Sequence, residues 1–223
     1  LVGESPALGL FNARTNKLVA ISLSNVLMHE LTHALHVNDQ TLRDQRHPLW
    51  LAEGLATMCQ SASFVDGNVQ VPFDDQLGDL QAWIRAGRVR PLREMMTSGP
   101  EAFVADIRVS YAQVQYLMTW LHRSGRAKAF YEAYKDTWAD DPNGVGALER
   151  TCGRGIDDID TAWRAWVLRQ QPAWQPAEGP TAHLGVRMGR DERGVRVTGF
   201  ARHSAAARQK LLRAGDVILS VAG

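Results

Sequence analysis

The sequence predicts an α+β protein: a mainly helical domain that opens with an N-terminal strand or hairpin, followed by a smaller β-rich unit. Three observations carry this. Apolar residues recur at helical spacing in successive segments between residues 26 and 168. A strand-like run precedes them at residues 8–21, with a turn signal at Arg14-Thr15-Asn16. Residues 171–181 then carry three prolines and a glycine without periodicity, and short alternating runs follow. The expected organisation is a first domain over 1–170, a linker over 171–181 and a partial second domain over 182–223.

Leu18-Val19-Ala20-Ile21 ends the first strand, and Ser22 or Ser24 offers a helix N-cap. In residues 26–36, Leu27, Leu31 and Leu35 form one apolar stripe, while His29, His33 and His36 fall on the opposite side. That division is expected of a buried helix on the floor of a cleft. Pro48 suits a first helical turn, and Trp50, Leu51, Leu55 and Met58 give the next helix a one-sided pattern running to Gln60. Asp66-Gly67 marks a turn. Further helices are expected over 75–86, ended by Gly87, over 91–98, over 126–139 and over 144–152. Another runs from Ser110 as cap to Gly125 as left-handed terminator, and a last one starts at Asp157 as cap, with Ile159, Trp163, Trp166 and Val167 as its stripe.

His29-Glu30-Leu31-Thr32-His33 is the stretch that carries chemistry. On a helix, residues four apart share a face with Cβ atoms roughly 5–6 Å apart, so two imidazoles can hold one ion. Glu30 is rotated about 100° from His29; it is poorly placed as a ligand and well placed to reach a water on that ion. Glu53 lies in the greasy Trp50-Leu51-Ala52-Glu53-Gly54-Leu55-Ala56 helix, where a carboxylate is costly without a cationic partner. Zn2+ fits as that partner. Two histidines and one glutamate leave a fourth tetrahedral position open, the arrangement of a catalytic site.

These residues resemble the gluzincin zinc metallopeptidases, and most closely the bacterial peptidase MA-like domains. There, His-Glu-x-x-His is followed some twenty residues later by a helix carrying Glu in a Trp-x-x-Glu-Gly-x-Ala setting. The resemblance implies a zincin-like fold, with His29, His33 and Glu53 as zinc ligands and Glu30 as general base. The implied reaction is hydrolysis of peptide bonds by a metal-activated water, with a peptide or protein as substrate. Tyr111 resembles the tyrosine that supports the oxyanion in the aminopeptidase branch; a half-buried helix tyrosine is the plainer reading. Nothing here is similar to the Gly-Ala-Met-Glu-Asn stretch of those aminopeptidases, so exopeptidase action has no support. The strand ahead of the metal helix is a candidate edge for an extended peptide.

Other donors stay open as alternatives. His36 lies one turn beyond His33, where it would act around the site or touch substrate. His47, Asp39 and Asp44 would ligate if Glu53 does not, and otherwise belong to a solvated connection. Cys59 and Cys152 read as small buried side chains, or as a disulfide if the chain is exported.

Beyond the linker, the sequence resembles a PDZ domain of the bacterial protease-associated type. Leu184-Gly185-Val186 matches the carboxylate-binding loop, Ser204-Ala205-Ala206 the short helix, and residues 213–223 the Gly-Asp-hydrophobic strand. The resemblance implies a truncated module for tethering substrate or partner, with weak peptide binding by so short a piece. The alternative function is an inert zinc-containing adaptor whose PDZ part binds peptide termini. A net charge of +1 gives no reason to expect nucleic acid as partner. No apolar run approaches the roughly 20 residues of a spanning helix. The chain begins with Leu1 close to a strand, as expected of an N-terminally truncated fragment; localisation stays open, with the resemblance favouring an extracytoplasmic or secreted setting.

Overall fold

The computed structural model describes residues 9–12, 14–15, 17–20, 25–65, 68–74, 76–171, 186–191, 194–200 and 213–218. It is an α+β structure, mainly helical, and divides into two compact units, 1–174 and 175–223. Among the described residues no helix is long and apolar enough to cross a membrane.

The first unit begins with an antiparallel hairpin, β1 (Gly9–Asn12) and β2 (Lys17–Ala20), in the register Gly9↔Ala20 to Asn12↔Lys17. Its turn is held by Asn12, whose Oδ1 accepts from the backbone N–H groups of Arg14 and Thr15 at 3.0 and 3.1 Å. The hairpin packs against α1 (Asn25–Leu42), which rests on α2 (Leu49–Gln60). A small hairpin, β3 (Ser63–Val65) and β4 (Asn68–Gln70), follows. Then come α3 (Gln76–Arg85), α4 (Leu92–Thr97), α5 (Pro100–Ala105), α6 (Ile107–Arg123), α7 (Ala127–Thr137), α8 (Val145–Cys152) and α9 (Ile156–Arg169). Gly87, Gly125 and Gly153 take the left-handed backbone expected of helix terminators. Ser22 and Ser24 lie outside the described residues.

The core sits around α6, which α2, α3, α7 and α9 contact, and is filled by Leu51, Leu77, Leu80, Leu117, Leu121, Phe130 and Trp163, all essentially inaccessible. Gly54 lets α2 approach α6 closely: a Cβ there would stand 2.9 Å from Met118 Cγ and 3.2 Å from the Val114 carbonyl oxygen. The polar residues buried on α6 are bonded in place. Gln113 Nε2 donates to the Arg90 carbonyl at 2.7 Å, and Gln115 Nε2 to Asp74 Oδ2 at 2.7 Å.

Three expectations are corrected. The leucine stripe of α1 does not face the core: Leu31 is 39% and Leu35 64% exposed, and His36 is the one buried residue of this helix. The histidine side packs on α2 instead, where His29 meets Gln60 and both His29 and His33 meet Glu53. Ser110 is not the cap of α6, which starts a turn earlier at Ile107 with Asp106 in the cap position. In that extra turn Asp106 pairs with Arg88 (2.8 Å) and Arg108 with Asp79 (3.0 Å), and the Ser110 hydroxyl accepts from Arg90. Asp157 lies inside the first turn of α9, where the Ile156 N–H is capped from α8 by Glu149 Oε1 at 2.9 Å.

In the second unit, β5 (Val186–Asp191), β6 (Gly194–Phe200) and β7 (Val217–Ile218) form one antiparallel sheet in the order β5-β6-β7, with a register shift between Arg187 and Met188. Val197 is fully buried on β6, and its N–H and C=O bond to the Asp216 carbonyl and the Gly215 N–H, both at 2.8 Å. Of the loop singled out in the sequence, Val186 opens β5, whereas Leu184 and Gly185 lie outside the described residues, as does the segment 204–206.

Candidate metal centre

The packing of α1 on α2 brings together the two histidines that helical spacing pairs and the carboxylate that stood out in an apolar helix. His29 and His33 lie one turn apart on α1, and their Nε2 atoms stand 3.0 Å from each other. From α2, Glu53 Oε2 stands 3.5 Å from His29 Nε2 and 3.6 Å from His33 Nε2. Bonds of about 2.0–2.1 Å to a tetrahedral ion place its ligands about 3.3–3.4 Å apart, and the three observed edges bracket that value. Among the described residues this is the one group of histidine, cysteine and carboxylate side chains so arranged.

Two further features fit a cation. Glu53 Oε2 is buried and has no hydrogen-bond partner among the described residues, a costly state for a carboxylate oxygen unless a positive charge faces it. His29 Nδ1 lies 3.0 Å from Gln60 Oε1. An N–H there donates to the amide oxygen and leaves the Nε2 lone pair facing His33 and Glu53, the tautomer a metal ligand needs. Without an ion, the contact between the two Nε2 atoms needs a proton on one of them; an ion takes that proton's place.

The charges agree. Burial by itself would raise the Glu53 carboxyl, but the imidazoles of His29 and His33 and the nearby Tyr111 hydroxyl outweigh it and hold the pKa down at about 2. Burial would lower His29, yet Glu53, the charge of Glu30 and Gln60 bring it above its ordinary value. The Tyr111 phenol is pushed up by burial and by the Glu53 carboxylate that it faces. Glu30 is not one of the three grouped atoms; its charge acts on both His29 and Tyr111, which puts it beside the site rather than in it.

A cleft of about 390 Å³ opens beside His29 and Tyr111. Thr57 and Gln60 of α2 form one wall, Gln76, Asp79 and Trp83 of α3 another, and Ile107 and Arg108 of α6 the third. The sequence reading missed Gln60 and these walls. Glu53, Thr57 and Gln60 stand at i, i+4 and i+7, so the shared face was legible; the contribution of α3 was not.

The alternative donors go elsewhere. His36 Nε2 donates to His47 Nδ1 at 2.7 Å, and His47 Nε2 to Gln45 Oε1 at 3.1 Å. Gln45 Nε2 is itself committed to the Lys135 carbonyl at 2.7 Å, so Gln45 Oε1 accepts from His47 Nε2, and a neutral His47 then accepts from His36 at Nδ1. Burial, with help from neighbouring positive groups, lowers both pKa values to about 4. Asp39 belongs to α1; its Oδ2 accepts from Tyr131 at 2.6 Å and pairs with Lys135 at 3.4 Å. Asp44 is an exposed turn residue with φ 51°. Cys59 and Cys152 are both free thiols, so no disulfide joins them, and burial raises both. The chain matches no family model, no curated protein and no solved structure.

Proposed function

We propose that this protein is a zinc metallopeptidase of gluzincin type. The observation that carries the reading is the convergence of His29 Nε2, His33 Nε2 and the buried Glu53 Oε2 within 3.0–3.6 Å of one another. His29, His33 and Glu53 would hold the zinc, which would supply a Lewis acid for activating water. Glu30, next to His29 in sequence and outside the ligand set, takes a proton from the attacking water at its carboxylate and returns it to the leaving amine. Tyr111 donates its O–H where negative charge develops on the carbonyl oxygen. Gln60 holds the His29 ring and its tautomer.

The second unit, read as a partial PDZ-like module, would tether substrate or partner by strand addition. Its support is the antiparallel β5-β6-β7 sheet with Val197 inside. The test pairs zinc analysis with proteolysis of an unfolded protein substrate by the parent chain and by Glu30→Gln. One zinc per chain in both, with cleavage in the parent alone, is the expected result. One zinc per chain with no Glu30-dependent cleavage favours an inert adaptor.

A further inference from the structure

We infer that the cleft beside the metal centre selects peptides carrying a large apolar side chain, aromatic above all, next to the bond to be cut. This rests on the metallopeptidase reading and adds a substrate class to it. The cleft, about 390 Å³, lies at the small end of the range of ligand pockets, roughly 300–1,000 Å³. That suits one or two residues of a peptide. It starts at His29 and Tyr111, so whatever side chain fills it belongs to a residue flanking the reacting carbonyl.

The chemistry of the far walls decides the class. Trp83 offers a half-buried indole, and Ile107 keeps 47% of its surface exposed in the first turn of α6, an uncovered aliphatic group at the pocket wall. The two charged groups there neutralise each other: Arg108 Nη2 stands 3.0 Å from Asp79 Oδ2. The Arg108 and Arg88 guanidinium groups also lie over the Trp83 ring, each 5.7 Å from its centre. On these far walls an acidic or basic substrate side chain would meet only charges already paired with each other. An aromatic one covers Trp83 and Ile107 and releases their water.

Selection by an apolar pocket is worth roughly 10–200-fold per methylene-sized difference, so phenylalanine over alanine at the flanking position should exceed about tenfold in kcat/KM. The test has two arms. In the first, metal-free protein is titrated with N-acetylphenylalanine amide, N-acetylalanine amide and N-acetyllysine amide, and the Ile107 methyl and Trp83 indole resonances are followed by NMR. The phenylalanine probe alone should shift both, and Ile107→Glu, a change at an exposed helix position, should abolish the shift without altering the melting temperature. In the second, zinc-loaded protein cuts peptides differing only in Phe or Ala beside the scissile bond. Ile107→Glu and Trp83→Ala should each reduce the Phe-to-Ala ratio about tenfold. Equal response to all three amides, shifts mapping away from α3 and α6, or an unchanged ratio in Ile107→Glu would overturn the inference. Binding in the first arm with no turnover in the second would overturn the peptidase reading and leave an apolar-ligand site.

Discussion

Glu53→Gln keeps the shape of the third ligand while removing its charge, and its effect is read most directly as zinc-dependent stability. In the parent chain Glu53 Oε2 is buried, lacks a hydrogen-bond partner and lies 3.5 and 3.6 Å from the two imidazole nitrogens. A ligand that binds only the folded state stabilises by about 2.7 kcal/mol at one hundred times its Kd. For a domain of this size each kcal/mol moves the Tm by about 2–4 °C, so zinc at that level should raise the parent Tm by about 5–11 °C. Losing a carboxylate ligand should weaken binding at least as much as losing a supporting hydrogen bond, about 100-fold. The same zinc concentration then equals the variant's Kd and gives about 0.4 kcal/mol, or roughly 1–2 °C. The assay is thermal unfolding by circular dichroism on metal-stripped protein, with and without zinc. Equal shifts in parent and variant would show that Glu53 does not ligate, whatever activity is found.

Tyr111→Phe should lower kcat by about 10²–10³-fold if the phenol supports the oxyanion, with one zinc per chain retained. Loss of zinc with an unchanged rate per bound metal would mean instead that Tyr111 serves only to hold the Glu53 carboxylate it faces. Gly54→Ala gains about 1 kcal/mol of helix propensity but sets a Cβ 3.2 Å from the Val114 carbonyl oxygen, and overpacking costs typically 1–3 kcal/mol. A net loss of about 1 kcal/mol and weaker zinc binding, as α2 carries Glu53 away from α1, should appear in calorimetry. The neutral His36–His47 pair makes the metal-free fold acid-sensitive. Both folded pKa values are depressed to about 4, so the unfolded chain binds the extra protons. Their stabilisation is complete above about pH 6.5 and fades as pH falls through about 4. For buried His36 it reaches about 3 kcal/mol, and for the more exposed His47 less. Urea titrations in EDTA between pH 7 and 4 should show this decline, and His36→Gln should flatten it.

The His29–His33–Glu53 group was legible because its information is local. Four residues of helical spacing put His29 and His33 on one side of α1, and a carboxylate within an apolar helix called for a cation. The terminators Gly87, Gly125 and Gly153 were legible for the same reason: a left-handed residue after a helix is a demand of one residue's backbone. Ser110 and Asp157 misled because a side chain able to cap is only an offer. At the observed helix starts the contacts come from Arg88, Asp79 and Glu149, which are distant in sequence.

By itself the sequence determined which side chains share a helical face, since φ and ψ impose that period on any chain. Only the tertiary structure decided which face turns inward, leaving Leu31 and Leu35 outside and the imidazoles against α2. It alone set Gln60 on His29, tied His36 to His47, and closed the cleft with Trp83 from α3 and Ile107 from α6. Periodicity defines a surface, but the sign of its burial depends on the neighbour that covers it, and that neighbour lies dozens of residues away.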